Sequence, residues 1–452
     1  MTSLQPTGGD TPLNRLSTIL LLSFPIIGGM LSQSLLNLVD TAMVGHLGSD
    51  ALAAIGTANY AIFVCFALIS GLSVAVQSRV ARLHGQGRLS RLLEPLESGV
   101  RITLLGGIPL TALLFFCAPL IIGSFRLESA IAIQAESYFQ IRILSLPAGM
   151  LMLCFRGFWN GCHSPWSYLK ILVATHIVNA CLSYILIFGE LGLPVLGLPG
   201  AAIGTLFAMY CSAMINTIGA LRYARKHNLP SPKSRPEKTI QFYQQAWPDS
   251  AQQTLFALGM AVFFWLIAGM GSNAMAVSHV LVNISLLLIL PGLGIGMAST
   301  TLINHAIGAG NLHRAWRWGM DVSFAALAVM ALLSLPLLLI PEQILKIFLA
   351  GNLSLVETGV IPLQLLAISI IADSASLVLT QSLLGTGSNR AVMKIRFSTL
   401  WLINLPLTAL AINLDLGLSA VWAIQIIPRL LASLCCLYTW HQCTWCQSTR
   451  PA

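Results

Sequence analysis

The chain has 452 residues, 56% of them hydrophobic and 9% charged, with a net charge of +9. Soluble domains carry about 25% charged residues, so this composition excludes an ordinary soluble fold. The apolar residues come in unbroken runs, which also excludes a transmembrane barrel, whose strands alternate over about ten residues.

Twelve runs are long enough to span a bilayer: 17–45, 51–78, 98–123, 137–160, 167–188, 196–222, 246–270, 274–304, 316–340, 356–384, 393–414 and 416–440. A span needs about 20 largely apolar residues. With no water in the hydrocarbon, the backbone must satisfy its own polar groups, so all twelve are expected to be helices. The first run is too long for a cleaved signal, and no small-residue cleavage site interrupts it. Twenty of the 24 Lys and Arg residues fall at one side if the N-terminus is inside. Arg126 and Lys346 fall outside, and Arg142 and Arg429 within helices. The bias predicts that both termini face the cytoplasm of a cell whose inner membrane holds the chain. It also accounts for the net charge without any nucleic-acid partner. The ten cysteines lie mostly in apolar helices, where Cys packs as a small hydrophobe. His441, Cys443 and Cys446 cluster in the C-terminal tail, but three neighbours are too few for a closed metal site.

The chain repeats itself. "LSFPIIGG" with Pro25 recurs as "QAWPDSAQ" with Pro248, "LGSDALA" at 47–53 as "MGSNAMA" at 270–276, and "HGQGRLSR" at 84–91 as "IGAGNLHR" at 307–314. All three pairs share an offset of 223, and "VNACLS" at 178–183 matches "INLPLT" at 403–408 at 225. A six-helix unit has been duplicated in parallel, a plan common in secondary transporters. The expected domains are 1–222, a cytoplasmic linker at 223–245, and 246–452. The fold class is therefore all-α and membrane-integral, with two pseudo-symmetric six-helix bundles.

The repeat isolates Asp40, because its counterpart at offset 223 is Phe263. A carboxylate at a helix centre costs about 2.5–3.5 kcal/mol on insertion scales. Gln33, Asn37 and Asp40 stand at i, i+4 and i+7 and share one helix face. Such a stripe points to a cavity or another helix, although a position near the headgroups would also relieve the charge. Burial disfavours the charged carboxylate, so Asp40 could load and release a proton near working pH. One carboxylate offered alternately to H⁺ or Na⁺ and to a cationic solute is the simplest exchanger. Asn179 and Ser183 follow at i, i+4 in the fifth run, and Thr205 in "GAAIGT" of the sixth, where small residues permit close packing. They are candidate ion ligands beside Asp40, with interhelical hydrogen bonding as the alternative. Asp373 is a second intramembrane acid, with Gln381 and Asn404 as companions. His176 and Arg142 are further candidates, with outward snorkelling as the favoured reading of Arg142. No nucleotide loop, H-E-x-x-H or G-x-S-x-G motif is present, so no enzyme activity or cofactor is expected. Transport would run on an ion gradient.

"FPIIGGMLSQSLLNLVDTAMVGHLGSDALAAIG" resembles the first helix and loop of the multidrug and toxic compound extrusion (MATE) family. "VARLHGQGRLSR", "FRGFWNGCHSPW" and "VNACLSYILIFG…LGLPGAAIGT" resemble its later N-lobe motifs, and "HAIGAGNLHRA" and "LLGTGSNR" their C-lobe echoes. The resemblance covers nearly the whole chain. It implies two six-helix bundles about a cleft that opens alternately to either side, and efflux of organic, often cationic drugs in exchange for H⁺ or Na⁺. Asp40 matches the family's first-helix carboxylate, Gln33 and Asn179 match polar positions near it, and Thr205 a cavity-lining threonine. Two departures stand out. Ser183 occupies a place usually held by a second aspartate in the DinF-like branch. The seventh-helix glutamate of NorM-like members would fall near Phe256, although Asp373 resembles their tenth-helix aspartate. The expectation is a monomeric antiporter of small organic compounds. Protonation of Asp40 is its coupling step, and Gln33, Asn37, Asp373 and Gln381 bind substrate. The competing reading is a flippase of a lipid-linked substrate.

Overall fold

The structure is a computed structural model that describes residues 12–230, 236–349 and 353–442. Cys443 and Cys446 of the tail cluster lie outside the described residues. Within the described residues the chain is helical, with no strand, no disulfide and no group of metal ligands.

The spans are α1 (Pro12–Gly45), α2 (Ser49–Gly85, interrupted at Leu68–Ser70), α3 (Leu89–Phe116), α4 (Ser129–Ile143 and Leu146–Gly161, bent by 49°), α5 (Pro165–Phe188) and α6 (Leu198–Lys226). They continue as α7 (Pro236–Ala268), α8 (Ser272–Gly308), α9 (Leu312–Leu339), α10 (Leu353–Thr386), α11 (Asn389–Asn413) and α12 (Gly417–His441). Counting bent α4 as one span gives twelve, as the apolar runs predict. α7 begins earlier than its apolar run. Phe242, Ala246, Asp249 and Ser250 are all buried and stand at i, i+4, i+7 and i+8, so the segment read as the end of a linker is an amphipathic helix.

The repeat is written into the backbone. Gly48 and Gly271 precede α2 and α8 with φ of 111° and 99°, and Gly87 and Gly310 follow them with 69° and 75°. Each pair is separated by the repeat offset. Side chains other than glycine rarely adopt such φ, so both turns need glycine.

The helices form two compact units. One comprises residues 28–251 and the other the residues up to 27 with those from 252 onward. The chain therefore passes from unit to unit in the middle of α1 and of α7, each time within a few residues of a helix proline, Pro25 or Pro248. In the first unit, the leading half of α7 lies across the interruption of α2. A Cβ on Gly71 would collide with the Ala246 carbonyl, the Gly71 N–H donates to Ser250 Oγ at 3.1 Å, and Arg79 Nε donates to Gln245 Oε1 at 2.9 Å. The core of this unit gathers Phe139, Phe158, Trp159 and Phe242. In the second unit, the leading half of α1 packs in the corresponding way, with Ile27 against Gly294 of α8. Its core gathers Phe263, Leu281, Leu363, Ile370 and Trp422.

Candidate coupling and substrate sites

In the unit formed by residues 28–251, α1 and α5 run in parallel register. Gly29 rests against Leu172, His176 Nε2 lies 3.2 Å from Gln33 Oε1, and the His46 and Phe188 rings are 6.4 Å apart, edge to face. Successive contacts keep a nearly constant offset, so Asp40 lies level with Ser183, one turn beyond Asn179. Two small residues on α6 tighten the next pairing: a Cβ on Gly200 would meet the Leu186 carbonyl, and one on Gly204 would meet Ser183. Asn179 and Ser183 are buried where α5 meets α6, and Ser183 Oγ donates to Asn179 Oδ1 at 3.0 Å. Thr205, also buried, donates to the Ala201 carbonyl at 3.0 Å, one turn back.

Asp40 itself is half-buried, and its Oδ1 is enclosed with no hydrogen-bond partner. Asn179, Ser183 and Thr205 thus stand around its level, but Ser183 bonds to Asn179 and Thr205 to backbone. Gln33 and Asn37 are exposed on the same α1 face and joined to each other, Gln33 Nε2 donating to Asn37 Oδ1 at 3.2 Å. His176 buttresses Gln33 from α5.

Two groups act on Asp40, and of these the sequence offered Arg142 as a candidate but did not single out Tyr138. Arg142 and Tyr138 of α4 are one helical turn apart, and both act electrostatically with Asp40. Arg142 does not snorkel outward. Its Nη1 donates to Ser145 Oγ at 3.0 Å and lies 3.7 Å from Met209 Sδ, while its Nε is buried without a partner. Tyr138 is 3% exposed and donates to Asn59 Oδ1 of α2 at 3.4 Å. Arg142 is half-buried and stands just before the 49° bend of α4. A tally of charges along the chain carries no sign of that bend. Asp249 of α7 is a further buried acid in this unit, with an unpartnered Oδ1 and Arg156 acting on it. Arg156 in turn donates to Ser73 Oγ at 3.0 Å.

In the other unit, Asp373 sits on α10, 7% exposed. Arg396 of α11, counted among cytoplasmic charges from the sequence, turns into the bundle toward it. Its Nη1 lies 3.7 Å from Asp373 Oδ1, its Nε donates to Thr380 Oγ1 at 3.2 Å, and its Nη2 to the Ser376 carbonyl at 3.3 Å. Arg429 of α12 acts on both. Gln381 is buried with its Oε1 unpartnered, and its backbone carbonyl accepts from Thr300 Oγ1 at 3.0 Å. Asn404 closes a widened π turn of α11, Ser398–Asn404, with its Oδ1 also unpartnered. The expectation that Asp373 binds or orients a cationic substrate meets a physical obstacle here. Two guanidinium groups already face the carboxylate, and a third cation would meet their repulsion.

The MatE family profile matches residues 25–185 and again 248–410. The two matches start at Pro25 and Pro248, the repeat offset apart. Among curated relatives, a probable multidrug resistance protein NorM from Thermotoga maritima is 24% identical over 405 residues, covering 89% of this chain and 87% of its own. Another protein of the same description, from Bradyrhizobium diazoefficiens, is 27% identical over 439 residues, covering 92% of each. Among solved structures, that of MATE in complex with MaL6 superimposes with a TM-score of 0.89 over 98% of both chains, at 20% identity. The fold is that of the MATE transporters, and the chain, matched over both halves of its repeat, belongs to the MatE family.

Proposed function

We propose that this protein exports organic, often cationic compounds in exchange for H⁺, by alternating access, with protonation of Asp40 as the coupling step. The observation that carries this reading is the enclosed, unpartnered Oδ1 of Asp40 on an apolar helix, beside Arg142. When Asp40 is ionised, it offsets the Arg142 charge, and its unpartnered oxygen is free to accept from an organic cation. When Asp40 takes a proton, only the Arg142 charge is left, and an organic cation is repelled. Binding of proton and of cation therefore exclude each other, as an exchanger requires. Gln33 and Asn37, exposed on the same face, supply polar contacts to the bound compound. Gln381, in the other unit, is a separate candidate for substrate contact, with an unpartnered Oε1.

The choice of H⁺ over Na⁺ rests on oxygen count. Na⁺ needs several oxygens to replace its hydration. The Ser183 and Thr205 hydroxyls are turned to Asn179 and to backbone. A proton needs Asp40 alone, and Asn179, Ser183 and Thr205 then hold the surrounding helices in place. Relatives carrying a multidrug resistance description support the substrate class. The same reading places the protein as a monomer in the bacterial inner membrane, with both termini in the cytoplasm. Uptake of a fluorescent organic cation into proteoliposomes, under an imposed H⁺ gradient and separately under a Na⁺ gradient, tests it. Uptake driven by Na⁺ alone would overturn the assignment of the ion.

A further inference from the structure

The leading half of α7 brings a second buried acid into the unit of residues 28–251. Asp249 is 4% exposed, and its Oδ1 is enclosed with no hydrogen-bond partner. It directly follows Pro248, and the chain leaves the unit after Ala251. It is not the seventh-helix position of NorM-like members, which falls near Phe256, two turns further on and outside this unit. At the repeat offset of 223 the counterpart of Asp249 is Ile26, so the shared fold does not require an acid there.

Backbone contacts fix where Asp249 lies. Three helices meet at the interruption of α2. From α7, Ser250 Oγ accepts from the Gly71 N–H at 3.1 Å, and the Ala246 carbonyl fills the space that a Cβ on Gly71 would need. From α4, Gly157 lies against the Ser73 carbonyl, and Arg156 Nε donates to Ser73 Oγ at 3.0 Å. Ser250 and Arg156 are thus fastened to positions two residues apart on α2, which brings the acid and the guanidinium to one junction. Arg156 acts on the Asp249 carboxylate. The other charged or titratable groups about the junction are Arg79, Arg82 and Tyr168. Arg79 donates to Gln245 and covers the Phe242 ring, Arg82 acts on Arg79, and Tyr168 of α5 acts with Arg156. The junction is also separate from Asp40. Arg142, which acts on Asp40, precedes Arg156 by fourteen residues on α4, about 21 Å along the helix path.

The contacts describe one of two states. Arg156 is turned to a serine hydroxyl, and the enclosed oxygen of Asp249 has no donor. A buried carboxylate without a donor is costly, whereas a neutral carboxyl is tolerated. An ionised Asp249 would draw the guanidinium donors onto itself, because a charge-assisted bond is about twice as strong as a neutral one. We propose that Asp249 is a second proton-binding residue of this unit, and that its ionised form takes Arg156 from Ser73, so that one proton sets how the leading half of α7 is held at the α2 interruption. That this proton serves export rests on the reading above. Its binding does not, because it is measured without substrate or gradient.

The test is infrared difference spectroscopy of the purified full-length protein in nanodiscs, stepped from alkaline to mildly acidic pH. The wild type should gain a protonated-carboxyl band that Asp249→Asn lacks and Asp40→Asn retains. Arg156→Gln removes the cation that favours the ionised form. At one fixed pH its ratio of protonated to ionised Asp249 should be about tenfold larger, the scale of one nearby opposite charge. Arg156→Lys should bring the ratio back toward the wild type. Ser73→Ala, which releases Arg156 to Asp249, should lower it. The opposite signs separate the pair from a damaged fold, and both variants keep Asp249 in case Asp249→Asn does not fold. The proposal is overturned if the wild type gains no such band, if Asp40→Asn loses it as well, or if neither Arg156→Gln nor Ser73→Ala moves the ratio. Uptake driven by Na⁺ alone would remove coupling through Asp40 and leave the Asp249 band in place.

Discussion

Asp40 and Asp373 are both carboxylates within spanning helices, and they stand in different electrical settings. Asp40 has one arginine, Arg142, acting on it and an oxygen left without a partner. Asp373 has two arginines around it, one of them 3.7 Å away and held by Thr380 and the Ser376 carbonyl. The first group can change its charge and leave its surroundings between zero and one positive charge. The second stands 3.7 Å from the Arg396 guanidinium, with Arg429 acting on it as well. A duplicated fold thus carries an acid with one arginine acting on it in one half and an acid between two arginines in the other, and the proposed coupling through Asp40 predicts that the two respond differently to neutralisation.

The strongest way to break this contrast is to neutralise each acid in turn. Asp40→Asn keeps size and hydrogen bonding but cannot titrate. Efflux of an organic cation from cells should fall to the level of cells lacking the protein, and drug-evoked proton release in everted vesicles should vanish. Asp373→Asn should keep proton release for at least one substrate while shifting substrate preference. The reverse pattern, with release abolished by Asp373→Asn and intact in Asp40→Asn, would place coupling in the wrong half.

A second experiment sharpens what Arg142 does. If it is the resident cation that competes with substrate for Asp40, Arg142→Gln should tighten binding of a permanently charged cation by about tenfold, or about 1.4 kcal/mol. Weaker binding in that variant would mean that the arginine positions the carboxylate for substrate instead of opposing it.

Much of this was legible in the sequence, and what was not has a common cause. Twelve spans follow from hydropathy because the bilayer leaves the backbone no alternative to helix. The repeat follows from Pro25 and Pro248 and from glycines whose positive φ no other residue takes easily. Asp40 stands out because Phe263 replaces it in the second half. Arginines are different. Their long side chains reach several ångströms from the backbone, and sequence position does not say in which direction. Arg396 lies near a helix end and counts as a loop charge until its side chain is seen to turn inward. Arg142 reads as an interfacial residue until the bend of α4 is known. Asp249 escaped notice because it is the fourth residue of the apolar run 246–270, close to that run's edge, and only the extension of α7 back to Pro236 places it well inside a helix.

The exchanged helix halves allow a comparison of the two units by packing alone. A Cβ on Gly71 would strike the Ala246 carbonyl, which is backbone within a helix and cannot step aside. A Cβ on Gly294 would meet chiefly the Cγ1 of Ile27, a side chain that can rotate. Overpacking costs about 1–3 kcal/mol, and the two sites should fall at its opposite ends. Gly71→Ala is expected to destabilise by about 3 kcal/mol and Gly294→Ala by about 1 kcal/mol. Thermal unfolding of the two variants in one lipid would show this as a clearly larger drop in Tm for Gly71→Ala. Equal drops would mean that the α7 segment shifts as easily as a side chain does.

The smallest expected effect is at Ser183, and it separates support from ligation beside Asp40. Ser183 Oγ donates to Asn179 Oδ1 at 3.0 Å, and its backbone lies against Gly204. If it only ties α5 together, Ser183→Ala removes one buried hydrogen bond, worth about 1 kcal/mol. The Asn179 oxygen then loses a donor, but the methyl group keeps the contact with Gly204. Melting temperature should fall slightly, and the pH dependence of drug-evoked proton release should not move. If Ser183 instead ligates the coupling ion, its loss should weaken coupling far more than it weakens the fold, most of all for Na⁺, which needs every oxygen the site can offer. Measuring transport under H⁺ and Na⁺ gradients in Ser183→Ala decides between these. A change confined to stability leaves Asp40 as the coupling group on its own, whereas a selective loss of ion-driven uptake would make α5 part of the ion site.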